Sequence, residues 1–186
     1  MEEVREAIVI EDGDEDINRC VSVDVNHIVA TCRGLIEIDE QNRVSFVHET
    51  LHEFLSDQTQ YLLSPVQLGK SCLVYLNFNV FDSGPCGDRD SLKLRLANYT
   101  FGRYAARFWA DLIRGEGEGN LEVANAALSL VGSPKKRAAM LQLAASHYLA
   151  LHLSFFDSQT LLHVIAKNGL SKLCKLVLDD MGIKAC

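Results

Sequence analysis

The spacing of apolar residues predicts a mainly α-helical chain. Apolar positions recur at intervals of three and four residues through most of the sequence, which places them on one face of a helix. The pattern predicts helices at about residues 3–10, 17–33, 50–62, 64–76, 91–98, 101–115, 121–131 and 134–153. Ser64–Pro65 and Ser133–Pro134 strengthen two of these starts, because serine caps a helix and proline is favoured at its first position.

One short region alternates in the manner of β-strands. Residues 35–39 (LIEID) alternate apolar and acidic side chains, and residues 44–48 (VSFVH) alternate again after a polar turn at 40–43. These segments predict a small β-hairpin, with Val44 and Phe46 on one face. The helix before it has an apolar face of Val25, Ile28, Val29 and Cys32, and we expect it to end at Gly34.

The segment 101–115 is the clearest amphipathic helix. The residues predicted to be buried are Phe101, Ala105, Phe108 and Leu112, with Tyr104 and Trp109 widening the stripe. Two polar runs interrupt the pattern: EDGDED at 11–16, predicted to be a loop, and GEGEGN at 115–120, predicted to be a flexible acidic linker. These breaks divide the chain into predicted units at 1–63, 64–115, 120–156 and 157–186.

Composition and charge narrow the classes of partner. The chain has 186 residues, and 48% of them are apolar, which suits a globular protein. Its net charge of −7 opposes binding to nucleic acid or anionic lipid. The acidic N-terminus shows no secretory signal, and residues 138–153 are too short and polar for a membrane span. Six cysteines without a C-x-x-C pair predict reduced thiols and a cytoplasmic location.

Residues 48–52 spell H-E-x-x-H, the pattern of zinc proteases. A zinc metallohydrolase using His48, Glu49 and His52 is therefore one alternative function. Thr50 and Glu53, however, also form a capping-box pattern, which would start the helix after His48 and separate the two imidazoles. A third histidine of the extended pattern is absent, so we predict no metal ligands here.

DNA binding through the helix and the β-hairpin that follows it, in the manner of a winged helix, is the other alternative. Residues 24–62 carry seven Asp and Glu side chains against only Arg33 and Arg43, the wrong sign for phosphate contact. No G-x-S-x-G motif or nucleophile–base pair stands out in the sequence. We therefore predict a protein that is not an enzyme and needs no cofactor.

The order of elements in residues 17–62 resembles the winged-helix segment that follows the NACHT nucleotide-binding core in fungal signal-transducing ATPases of the STAND type. The matching residues are Cys32, Gly34, Leu35, Ile36, Val47, His48, Thr50, Glu53, Phe54 and Leu55. Residues 71–86 and 99–115 are similar to the helical spacer of the same proteins. The resemblance implies a winged-helix-like subdomain followed by a helical linker region.

The same resemblance implies a nucleotide-sensing role for His48, at the position whose imidazole contacts the β-phosphate of ADP in the family. A histidine donor can sense phosphate through a charge-assisted hydrogen bond. This sequence contains neither G-x-x-x-x-G-K-[ST] nor an acidic Walker-B strand. We therefore expect ADP or ATP to bind only if the chain is joined to a NACHT core.

Residues 157–180 resemble one ankyrin repeat. The family pattern T-P-L-H-x-A-x-x-G is met by Thr160, Leu162, His163, Ala166 and Gly169, with Leu161 in place of the proline. We expect Thr160 and His163 to tie the first helix, with a cost on the order of 1 kcal/mol for losing the Thr160 cap. The predicted apolar faces of the repeat comprise Leu162, Ile165, Ala166, Leu173, Leu176 and Val177.

A single repeat cannot bury both its faces. Either the 134–153 helix covers one face or the array continues beyond Cys186, so we expect a fragment or a truncated relative of a longer protein. The two resemblances together imply a non-enzymatic regulatory part of a NACHT–ankyrin signalling protein. Its expected partners are proteins, bound through the ankyrin and helical surfaces.

Overall fold

The structure is a computed structural model that describes residues 1–21, 23–57, 64–145, 156 and 158–182. Over these residues the chain is mainly helical and contains one small antiparallel hairpin, as the sequence predicts. The helices are α1 (Glu2–Ala7), α2 (Val25–Thr31), α3 (Glu49–Asp57), α4 (Pro65–Leu76), α5 (Arg89–Asn98), α6 (Gly102–Ile113), α7 (Leu121–Gly132), α8 (Pro134–Ala144), α9 (Leu161–Lys167) and α10 (Ser171–Asp180). Two short 3-10 helices span Asn79–Ser83 and Gly117–Gly119.

Capping side chains fix several helix starts. Ser133 accepts from the Lys136 N–H before α8, and Pro134 occupies the first helical position, as predicted. The α2 helix begins at Val25, so the predicted start near Ile17 is wrong. Asp24 explains the difference, because its extended backbone and its carboxylate, which accepts from Asn26 N–H, form an N-cap there.

The hairpin pairs β1 (Ile36–Ile38) with β2 (Val44–Phe46) in the predicted place, with Glu37 opposite Ser45. Its turn is closed by Asp39, whose carboxylate accepts from the N–H groups of Gln41 and Arg43 and pairs with the Arg43 guanidinium. The hydrogen bond from the Arg43 backbone, followed by its side chain, lowers the pKa of Asp39.

One continuous cluster of buried apolar side chains extends from α4 to α10. The α4 and α6 helices pack most closely, with α7 and α8 against them. Gly69 permits the close approach: a Cβ there would lie 2.6 Å from Ile113 Cγ2. Trp109 is buried in this core, and its indole N–H faces Met140 Sδ at 3.1 Å.

The buried stripe of α6 is rotated from the predicted one. Trp109 and Ala105 are buried as expected, but Phe108 is 39% exposed and Leu112 only half-buried. The face that enters the core consists of Gly102, Ala105, Ala106, Trp109, Ala110 and Ile113. Four of these six residues are glycine or alanine, because α4 crosses α6 closely. Of the two large ones, Trp109 faces Met140 of α8 and Ile113 lies against Gly69 of α4.

The segment 115–120 is also different from its prediction. In place of a flexible linker, Gly117–Gly119 forms a 3-10 turn in which Gly117 and Glu118 are buried. Gly117 lies against Ile113 and Val66, where a Cβ would approach Ile113 Cβ to 2.9 Å. The hydrophobic core therefore continues through this segment, with buried residues on both sides of it.

A polar clamp lies in the part of the predicted helix 134–153 that the structure describes. Gln142 is buried, and its side-chain amide accepts from Cys86 N–H at 2.7 Å and donates to Cys86 C=O at 2.8 Å. Residues 146–153 of that prediction lie outside the described residues. Where the chain is described, none of its helices has the length and apolar character that crossing a bilayer demands.

Candidate functional site

The start of α3 places His48 and Thr50 in direct contact. The helix begins at Glu49, one residue from the predicted start near Thr50, and His48 lies before it as predicted. The predicted capping box of Thr50 with Glu53 is wrong. His48 takes the capping role instead: its Nδ1 accepts from the Thr50 N–H at 3.2 Å and lies 2.8 Å from Thr50 Oγ1. His48 is also exposed.

This contact defines what His48 can do chemically. Because Nδ1 accepts a backbone N–H, the neutral ring carries its proton on Nε2. That N–H can donate to an anion such as phosphate. In the described part of the chain, the His48 ring is held by Thr50. This contact does not test the nucleotide-sensing role, which stays a prediction.

The two histidines of the H-E-x-x-H pattern have separate surroundings. The Nδ1 of His48 is engaged with Thr50, while the exposed ring of His52 lies against Phe46, with ring centroids 6.1 Å apart. Over the described residues, no group of three or more His, Cys, Asp or Glu side chains converges in a way that could hold a metal ion. The zinc hypothesis therefore gains no third ligand from this part of the chain.

Thr160 and His163 form a closed start to α9. Thr160 Oγ1 accepts from His163 N–H at 3.4 Å, while the Thr160 N–H donates to His163 Nδ1 at 3.3 Å. The two side chains also meet directly, with Thr160 Oγ1 2.7 Å from His163 Nδ1. This reciprocal capping box is the tie predicted for Thr160 and His163, and it gives both residues a structural role.

Gly169 forms the turn between α9 and α10 as predicted. Its φ of +67° is a left-handed conformation that glycine adopts without strain. The buried side of the helix pair consists of Val164, Ile165, Leu170 and Leu173. Of the predicted apolar faces, Leu162 is half-buried, whereas Ala166 and Leu176 are exposed. The pair therefore has one packed face and one open face.

The packed face meets α7 more than it meets α8, the described part of the predicted 134–153 helix. The α9 helix contacts α7, and α10 contacts the 3-10 turn at Gly117–Gly119. A groove of about 440 Å³ runs between these elements, with Leu121, Ala124, Leu128, Leu161, Leu176 and Val177 among its lining residues. Leu121 is 75% exposed at its edge, so the groove continues the open face.

Glu118 joins the helix pair to the rest of the molecule, and the sequence pattern does not reveal it. Its buried carboxylate accepts from Lys172 N–H at 2.8 Å and Leu173 N–H at 3.1 Å, the first turn of α10. It also accepts from Gly115 N–H at 3.0 Å. The residue before α10, Leu170, has no capping side chain of its own, so Glu118 supplies the N-terminal acceptor from another element. Only the flanking glycines hint at a close approach.

The cysteines within the described residues, at positions 20, 32, 72, 86 and 174, are free thiols. Comparisons of the chain with protein-family models, with curated proteins and with solved structures each found no match.

Proposed function

We propose that this chain is a non-enzymatic protein-interaction module of the NACHT–ankyrin signalling type. The observation that carries the proposal is the α9–α10 pair: a Thr160–His163 capping box, a left-handed Gly169 turn, and an open apolar face that includes Ala166 and Leu176. Such a unit buries one side and receives a neighbour on the other. The order of helix, hairpin and helix in residues 25–57 supports the winged-helix-like part of the proposal.

The proposed partners are proteins, since the groove and open face are apolar and the chain carries a net charge of −7. ADP or ATP would be ligands only of a longer chain with a NACHT core, in which the Nε2 side of His48 could donate to a phosphate. Cytoplasmic location belongs to the same proposal, on the ground of free thiols alone.

A fusion tests whether the open face receives a repeat. The full chain is extended after Cys186 by two consensus ankyrin repeats and a terminal capping repeat, all without tryptophan. Trp109, the only tryptophan of the chain, then reports the unfolding of the module itself. If the repeats stack on α9 and α10, the Trp109 transition rises by about 4 °C or more and coincides with that of the repeats.

Two substitutions make the test specific. Leu176→Glu places a charge on the open face and should abolish the rise, whereas Leu94→Glu makes the same chemical change at an exposed site on α5 and should preserve it. Independent melting of module and repeats, or an equal rise in both variants, would contradict the proposed stacking face.

A further inference from the structure

The first part of the chain is strongly acidic and the remainder is basic. Residues 1–63 contain four Lys and Arg against fifteen Asp and Glu, a net charge of −11. Residues 64–186 contain fourteen against ten, a net charge of +4. Opposite charges on the two parts favour contact between them. The first nineteen residues, here called the N-terminal strap, form that contact.

Glu6 is the strap's central contact. Its carboxylate accepts from the Tyr75 hydroxyl at 2.6 Å and from the Phe101 backbone N–H at 2.8 Å. Both donors belong to buried residues of the helical core, so Glu6 satisfies two groups that would otherwise lack a partner. Burial, followed by the hydrogen bond to Glu6, raises the pKa of Tyr75 and keeps its hydroxyl a donor.

The acidic loop of the strap continues the same pattern over the neighbouring elements. Lys70 pairs with Asp12 at 2.5 Å. Its hydrogen bonds to Asp12 and to Glu122 raise the pKa of Lys70. Asn79 donates its backbone N–H to Glu15 C=O at 2.9 Å and its amide to the Glu15 carboxylate at 3.0 Å. Tyr99 donates its hydroxyl to Asp16 at 3.1 Å. Each contact matches a carboxylate or carbonyl of the strap with a donor of the helical region.

Apolar residues of the strap also pack on the core. Ala7, Ile10 and Ile17 do so in half-buried positions. The Glu6 contact lies at a cluster of aromatic rings around Tyr75, whose ring centroid is 4.8 Å from that of Phe78 and 5.4 Å from that of Phe101. The strap is thus an acidic, amphipathic segment bound to an aromatic surface with polar donors.

The same contacts indicate that the strap can open without the core. The α1 helix has no buried residue, and its backbone makes few close approaches to the other helices. The side chains of Asp12, Glu15 and Asp16 are exposed, where ion pairs contribute little stability and salt weakens them further. Segments with these properties open locally at a fraction of the global unfolding free energy.

We propose that the N-terminal strap is a releasable internal ligand, and that the surface beneath it binds an acidic, amphipathic segment of a partner protein when the strap opens. The inference rests on the proposed role in protein binding and names a second surface and its partner class. The contacts of the strap define what that partner presents: a carboxylate for Tyr75 and Phe101, apolar side chains beside it, and further carboxylates for Lys70 and Tyr99.

Exchange in trans tests the proposal on the full chain. The probe is a fluorescein-labelled synthetic peptide of residues 1–20, measured by fluorescence anisotropy. A release variant carries Glu6→Ala with Asp12→Asn, and its matched control carries Glu3→Ala with Glu11→Gln, two exposed sites in the same segment with the same change of charge. The peptide should bind the release variant about tenfold more tightly than the control, the ratio that loss of one charged hydrogen bond produces.

Hydrogen exchange on the wild-type chain gives an independent readout. Amides of the strap should exchange faster than those of α4 and α6, and rising sodium chloride should accelerate only the strap. Equal peptide affinity for the release and control variants, or exchange of strap and α4 in one cooperative step, would overturn the proposal. Neither result involves the open face at Leu176, so failure here and failure of the repeat fusion are distinguishable.

Discussion

Two histidines hold the starts of two helices through the same ring nitrogen. His48 Nδ1 accepts from Thr50 N–H before α3, and His163 Nδ1 accepts from Thr160 N–H at the start of α9. In each pair the threonine hydroxyl also contacts the imidazole, at 2.8 Å and 2.7 Å. His48 precedes its threonine in the sequence, whereas His163 follows its threonine. The two pairs therefore share a local chemistry without sharing a sequence motif. Both imidazoles are thereby committed to backbone capping, on the Nδ1 side.

Burial of single thiols makes their reactivity unequal. Desolvation raises the pKa of Cys72 to about 12, because burial in the core disfavours the charged thiolate. We expect Cys20, which is exposed, to be alkylated by iodoacetamide in the native chain at pH 8, while Cys72 reacts only after unfolding in urea. Peptide mapping by mass spectrometry distinguishes the sites. Rapid native labelling of Cys72 would show that α4 is not buried as described.

Helices and strands differ in how closely their sequence patterns match their packing. The hairpin has the predicted strands because alternation and an Asp39-closed turn are local properties. The α6 helix also forms where predicted, yet it is rotated so that Phe108 is exposed and Ala106 and Ala110 are buried. Hydrophobicity alone favoured the larger side chains, but the close α4–α6 crossing selects small ones.

The α4–α6 crossing predicts a glycine effect of definite sign. Gly69→Ala should lower the free energy of unfolding by about 1–3 kcal/mol, because the new Cβ would lie 2.6 Å from the buried Ile113 Cγ2. The overpacking outweighs the gain in helix propensity, about 0.5–1 kcal/mol. Urea unfolding monitored by Trp109 fluorescence measures the net change in the free energy of unfolding.

Gly132→Ala, at the end of α7, is the matched control, since the described residues place no tertiary neighbour within 4 Å of a Cβ there. It should be neutral or slightly stabilising. Equal stability changes in the two variants would show that the crossing has more room than the structure indicates.

The molecule as a whole is joined by long-range carboxylates. Glu118 connects the helical core to α10, and Glu6 connects the N-terminal strap to α4 and α6. Both accept from buried backbone or hydroxyl donors that lie more than fifty residues away in sequence. The segment around Glu118, which its glycines predict to be a flexible linker, is therefore a fixed joint.

Removal of the Glu118 carboxylate should loosen the last helix pair. Glu118→Ala leaves the Lys172 and Leu173 N–H groups without their acceptor, which costs about 2–3 kcal/mol. We expect residues 161–182 to lose hydrogen-exchange protection first, while α4 and α6 retain theirs. Glu116→Ala, an exposed change in the same turn, should shift stability by less than about 0.5 kcal/mol. Uniform loss of protection along the chain would argue against a local joint.

The sequence by itself determined the helical class, the hairpin, and the local closures at Ser133, Thr160, His163 and Gly169. Each of these depends on residues within a few positions of one another, where spacing and capping chemistry decide the conformation. The start of α3 is an exception among these local features. The sequence pattern predicts a capping box of Thr50 and Glu53, but His48 Nδ1 accepts from the Thr50 N–H and caps the helix instead.

Only the tertiary structure decided which face of α6 enters the core, that Glu118 is buried, and that Glu6 and Gln142 clamp distant backbone. These side chains find partners that no interval along the sequence specifies. The sequence of an acidic run does not indicate whether a given carboxylate faces water or a buried N–H. That depends on which donors the packed helices bring within 3 Å of it.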